Sequence, residues 1–121
     1  NLVFTAGQIP LIDGKLMASG KLGADIDAER GAQIAERCAL NALAAIKSVL
    51  GDLDRVKQVV KVVGFVASVP EFTAQPSVIN GASEFLQQVF GDAGKHARSA
   101  VGVPVLPLDA PVEVELIVEF E

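Results

Sequence analysis

Tryptophan and tyrosine are absent, and cysteine, histidine and methionine occur once each in 121 residues. A lone cysteine, Cys38, excludes an internal disulfide and fits a reducing, cytoplasmic compartment. One histidine and one cysteine leave no ligand set for a transition metal, so no metal site is expected. The six aromatic residues are all phenylalanine and the net charge is −5, so neither a base-stacking platform nor a basic footprint for nucleic acid is present. No apolar run approaches the ~18 residues that span a bilayer, which excludes a membrane-spanning helix. No Gly-Lys-Ser/Thr follows any glycine pair, and Gly14, Gly20, Gly23, Gly91 and Gly94 have the spacing of turns, not of a phosphate loop. The chain also lacks a charged-then-apolar leader. It opens without Met on Asn1-Leu2-Val3-Phe4, already inside a strand-like run, so residues upstream of Asn1 are expected.

What remains is apolar and small. Half of the residues are hydrophobic and a fifth are charged, enough for one globular domain over residues 1–121 with a genuine core. The mean hydropathy of +0.43 is high for an acidic chain of this size. Too little polar surface is available to coat the domain, which favours an oligomer that hides one apolar face.

Leu2 to Thr5 reads as a strand, and Asp13-Gly14 as the turn of a hairpin over Leu11 to Gly20. Asp27 is the expected N-cap of a helix from Ala28 to Leu50, with Ile34, Cys38, Ala42, Ala45, Ile46 and Val49 at helical spacing and Gly51 as its stop. Val56 to Val69 is apolar at both parities and predicts a central strand covered on both faces. A second helix is expected from Gln75 to Phe90, with Pro76 in its first turn. Ala97 to Val105 and Pro111 to Glu121 complete the strands, Pro104 and Pro107 marking an edge or bulge. In the last strand Val112, Val114, Leu116, Val118 and Phe120 alternate with glutamates on an outer face. The pattern predicts an α+β sandwich, one mixed sheet with two helices on one face.

Arg98 is one of four arginines and sits in a run of small and β-branched residues, Ala97-Arg98-Ser99-Ala100-Val101. A guanidinium stays charged, so burying it beside a strand is costly without an anion. Glu113 opens the next strand, and a cation and a carboxylate on neighbouring strands would make a small-acid site.

Gly7-Gln8-Ile9-Pro10, Phe65-Val66, Asn80, Ala97-Arg98-Ser99, Leu106-Pro107 and Val112-Glu113-Val114-Glu115 occur in the order seen in the Rid (RidA/YjgF-like) family, which the whole chain resembles. The resemblance implies a chorismate-mutase-like fold and a homotrimer whose sheets line a central barrel, with clefts between subunits. It implies hydrolysis of reactive 2-imino or 2-enamino acids to 2-keto acids and ammonia, without a metal or organic cofactor. By the same resemblance Arg98 clamps the carboxylate of a small 2-imino or 2-keto acid and Glu113 orients the attacking water. Gly7, Gln8, Asn80 and Ala100 border the substrate. Ala100 stands where the family often has Cys or Thr, Ala6 where it often has Ser, and His96 where it often has Pro, as in a divergent branch. A cleft tyrosine of many members would fall upstream of Asn1.

Two residues keep two readings each. His96 lies two positions before Arg98 and either joins it as an acid–base group or serves the loop. Asn80, followed by Gly81, either faces the cleft or satisfies local backbone. Cys38 lies on the apolar stripe of the first helix and is expected in the core, with no base to activate it. A non-catalytic sensor of small carboxylates, or a protein-binding module, would use the same cleft. Ribonuclease activity, ascribed to some Rid members, fits the acidic charge poorly.

Overall fold

The computed structural model describes all residues from Asn1 to Glu121. Its strands are β1 (Leu2–Phe4), β2 (Leu11–Ile12), β3 (Lys15–Leu16), β4 (Val56–Ala67), β5 (Ala97–Val103) and β6 (Val112–Phe120). Its helices are α1 (Ala28–Leu50) and α2 (Gln75–Phe90). The Asp27 carboxylate accepts the Arg30 backbone N–H at 2.8 Å and starts α1, and Gly51, at φ 86°, ends it. Asp13 and Gly14 both adopt positive φ, the conformation a two-residue hairpin turn needs, so β2 and β3 pair directly. This ribbon is shorter than the sequence suggests and lies outside the main sheet.

The main sheet has the order β1-β6-β4-β5. β6 runs antiparallel to both β1 and β4, while β4 and β5 are parallel and joined through α2, which makes the sheet mixed. β4 lies between β5 and β6, so Arg98 and Glu113 are not on neighbouring strands as the sequence reading assumed. β1 differs from expectation by one residue at one end and β6 by one residue at each end, and two further ends are trimmed by two residues. β4 stops at Ala67 rather than Val69 because the chain beyond it pairs with Leu22, whose N–H reaches the Ala67 carbonyl and whose carbonyl takes the Val69 N–H. β5 stops at Val103, because Pro104 has no N–H with which to continue.

One face of the sheet meets both helices. Val59, Val62 and Val66 of β4 and Val112, Val114 and Val118 of β6 are fully buried there, against Ile34, Cys38, Ile46, Ile79 and Leu86 of the helices. Helix α2 and the sheet come so close that a β-carbon on Gly64 would clash with the end of the Ile79 side chain, and α1 and α2 pack so tightly that one on Gly81 would clash with the Ala32 carbonyl oxygen. The other face carries Val63, Phe65, Val101 and Ile117 and is covered only in part, by a small cluster of Ala67, Leu106 and Ala110 with Ile9 and Leu16. Val101 is 44% exposed. The expectation of cover on both faces of the valine strand therefore holds for the helix side and is incomplete on the other.

Candidate functional site

Residue parity along each strand decides where the candidate side chains go. Arg98 is registered with Val62, whose side chain is in the helix-covered core. Glu113 is registered with Phe65, three residues further along β4, and its neighbours Val112 and Val114 are both fully buried on the helix side. Side chains alternate along a strand, so Arg98 projects towards the helices and Glu113 projects from the opposite face. The fold thus divides the six candidate residues into two groups.

The first group lies along the edge where β5 meets α2. Arg98 is half-buried, and its guanidinium donates from Nη1 to the Ser83 hydroxyl at 3.1 Å and from Nη2 to the Pro76 carbonyl at 3.3 Å. Both acceptors are neutral, and none of the three ion pairs in the structure includes Arg98. Pro76 and Ser83 flank Asn80 at helical spacing, so Asn80, exposed, occupies the same strip of α2. Ala100 follows Arg98 on the same side of β5 and packs half-buried against the main core. His96 joins this group: its Nε2 lies 2.8 Å from the Ser83 hydroxyl and its Nδ1 lies 2.6 Å from the Gly94 carbonyl.

The second group surrounds Glu113. Gln8 exchanges backbone hydrogen bonds with Val114 at 2.8 and 3.0 Å, which lays the Gly7-Gln8 segment along β6. The Gln8 side chain turns back to the Ala6 carbonyl at 3.2 Å. Gly7 packs on the Glu113 carboxylate so closely that a β-carbon would lie 2.7 Å from its carboxyl carbon and 2.8 Å from Oε1. Burial, reinforced by the negative charge of Glu115, pushes the Glu113 carboxyl above the usual glutamate range. Glu115 and Glu119 are half-buried, less solvated than their alternation suggests.

Cys38 is where its helical position places it. Its thiol is buried and contacts the Val112 carbonyl at 3.5 Å. Burial first, and the Glu113 charge second, push its pKa far above that of a free thiol, so it is no nucleophile at neutral pH. No group of three or more His, Cys, Asp or Glu is placed to hold a metal ion, and no helix is long and apolar enough to cross a membrane.

Two features escaped the sequence. Ser83 carried no signal, because a serine inside an apolar helical stripe looks like a small spacer. A cavity of about 660 Å³ opens beyond the ends of β4 and β5, lined by Lys21, Ser68, Phe72, Gln75 and Gly102 among others. Gly102 keeps its floor clear, since a β-carbon there would lie 2.7 Å from the Gln75 amide nitrogen and 2.8 Å from the Ser68 hydroxyl.

Residues 1–120 match the family described as "YjgF/chorismate_mutase-like, putative endoribonuclease". The chain belongs to this YjgF/chorismate-mutase-like family. Protein TCP17 of Trypanosoma cruzi is 48% identical over 116 residues, which cover 95% of this chain and 72% of that protein. The protein Atu1372 of Agrobacterium tumefaciens, of unknown function, shares 48% identity and superposes with a TM-score of 0.98, over 100% of this chain and 78% of its own. TdcF of E. coli, whose structure holds a bound serine, shares 26% identity with a TM-score of 0.63, over 99% of this chain and 81% of its own. The YjgF-like sandwich of two helices on a mixed sheet is thus the fold of this chain. The resemblance read from Gly7-Gln8-Ile9-Pro10 through Val112-Glu113-Val114-Glu115 is a true family relationship.

Proposed function

We propose that this chain forms a homotrimer with a small-carboxylate cleft at each subunit interface, and that the cleft hydrolyses 2-imino and 2-enamino acids to 2-keto acids and ammonia. Arg98, with Asn80 and Ala100, comes from one subunit. Glu113, with the Gly7-Gln8 backbone, comes from its neighbour. The observation that carries this reading is the division of Arg98 and Glu113 between opposite faces of one sheet. One chain cannot bring the two to the same small ligand, whereas a second copy set against the free edge of β5, beside Arg98, can bring its own Glu113 there. Arg98 supports it further, as a half-buried guanidinium bonded only to neutral oxygens. A serine held by the related TdcF is a ligand of the matching class, an amino acid with a free carboxylate.

The chemistry asks little of the protein. The carbon of an imine is already electrophilic, so placing water against it is the main task. Arg98 fixes the substrate carboxylate through its planar fork. Glu113 orients the water and takes its proton as oxygen bonds to the carbon, while the C=N electron pair moves to nitrogen. The proton returned to nitrogen gives a carbinolamine. Its collapse forms the keto acid C=O and expels ammonia, so one water is consumed per imine. An enamine enters the same route after protonation at its β-carbon.

The test couples the protein to an enzyme that generates an imino acid and follows keto-acid release. The wild-type chain accelerates release, and Arg98→Ala abolishes the acceleration while leaving the oligomer intact. Full activity in Arg98→Ala contradicts the reading. Binding of 2-ketobutyrate with no acceleration would replace it by a sensor that uses the same cleft.

A further inference from the structure

We propose that Ser83 and His96 are positioning residues that fix the donor direction of Arg98, through a relay that runs from the Gly94 carbonyl to the guanidinium. The proposal rests on the reading of Arg98 as a carboxylate clamp.

Hydrogen-bond accounting leaves one arrangement of the neutral relay. The Gly94 carbonyl only accepts, so His96 Nδ1, 2.6 Å away, carries the proton. In the neutral ring Nε2 is then an acceptor, and the Ser83 hydroxyl, 2.8 Å away, is the group that donates to it. With its proton committed to His96, Ser83 turns a lone pair to Arg98 and accepts the Nη1–H at 3.1 Å. The Pro76 carbonyl accepts from Nη2 at 3.3 Å. Both terminal nitrogens are therefore anchored to α2, and the plane of the fork is set.

This matters because a free arginine side chain has many rotamers, and a ligand that must order it loses affinity. Guanidinium carries five N–H groups. Ser83 and Pro76 take one each, so three remain, Nε–H and one on each Nη, enough for a bidentate carboxylate. Without His96 the Ser83 hydroxyl could turn its proton towards the guanidinium, opposing two donors. With His96 in place that orientation is the less favourable one. The same Ser–His pairing is the composition of a nucleophile and its base. Ser83, however, is only 7% exposed and already accepts from Arg98, so its oxygen is engaged in holding the cation. The buried polar atoms of this cluster are all hydrogen-bonded, as a rigid support requires.

The test compares Ser83→Ala, His96→Phe and His96→Gln with wild type and Arg98→Ala. It reads KM and kcat for imino-acid hydrolysis and Kd for 2-ketobutyrate, with sedimentation to follow the oligomer. His96→Phe keeps an aromatic ring and removes both ring nitrogens, the Ser83 acceptor included. His96→Gln keeps an oxygen that reaches Ser83. Ser83→Ala and His96→Phe should raise KM and Kd by about tenfold, the loss of one hydrogen bond to a charged group, with kcat within about twofold. His96→Gln should restore both towards wild type. Unchanged KM and Kd in His96→Phe, or a fall in kcat at unchanged KM, would overturn the relay, and this variant decides the matter if Ser83→Ala does not fold. If Arg98→Ala itself leaves Kd and KM unaltered, the clamp reading fails instead, so the two failures are told apart.

Discussion

Arg98 and Glu113 project from opposite faces of one sheet, registered with Val62 and Phe65 of the strand between them. The relationship turns a proposed two-residue site into a statement about assembly. It also changes what each substitution is expected to do.

Arg98→Lys keeps the charge and loses the fork. Lysine presents a point charge on a flexible stem and cannot hold both the α2 acceptors and a bidentate carboxylate. We expect kcat/KM for imino-acid hydrolysis to fall by about 10- to 100-fold, the range of one or two charge-assisted hydrogen bonds. Thermal stability should change little. Steady-state kinetics beside a melting curve checks both.

Gly7→Ala places a methyl group 2.7 Å from the Glu113 carboxyl carbon. The flexible carboxylate gives way more readily than the Gly7 backbone, which Gln8 ties to β6. If Glu113 orients the water as proposed, activity should drop about tenfold or more, because small misplacements of such a group are costly. The melting temperature should fall only by a few degrees, about the effect of 1 kcal/mol in a domain of this size. A large loss of stability with normal residual activity would contradict this account of Gly7.

Glu113→Gln tests the raised carboxyl pKa. A carboxyl whose pKa is higher in the folded than in the unfolded chain favours folding in its protonated form. Its stabilising contribution is present below the unfolded pKa of about 4.5 and is lost as pH rises through the folded value. The uncharged glutamine should therefore match or exceed the stability of wild type at pH 7, and lose that advantage by pH 4. Urea denaturation at the two pH values provides the comparison, while deaminase activity falls in the same variant.

Gly81→Ala is expected to be the most destabilising single methyl in the chain. Its β-carbon would clash with the Ala32 carbonyl oxygen of α1, backbone that cannot move without parting the helices. Overpacking of this kind costs about 1–3 kcal/mol, read as a lower denaturant midpoint.

The helices were legible in the sequence because their signals are local. Asp27, the apolar period and Gly51 bound α1 at Ala28 and Leu50, and Pro76 marks the first turn of α2. Strand ends were less legible, since β4 ends where Leu22 pairs with Ser68 and Val69, a contact between residues far apart in the chain. Charge and strand context single out Arg98 and Glu113, and the family resemblance adds Gly7, Gln8, Asn80 and Ala100, but neither gives their division between faces. Parity is countable within one strand, whereas the relation between Arg98 and Glu113 depends on strand order and on two registers against β4. Ser83 stayed hidden because only the approach of His96 and Arg98 distinguishes it from a small helical spacer.

The central claim is that Arg98 and Glu113 act from different chains, and mixing two inactive variants tests it most directly. Arg98→Ala and Glu113→Gln are unfolded together in equal amounts, refolded and assayed for imino-acid hydrolysis. If each cleft draws its arginine from one subunit and its glutamate from the next, random assembly makes about one cleft in four fully wild type, so about a quarter of wild-type activity returns. If both residues serve a cleft from the same chain, no intact cleft can form. Mixed oligomers as inactive as the two parents would contradict the account.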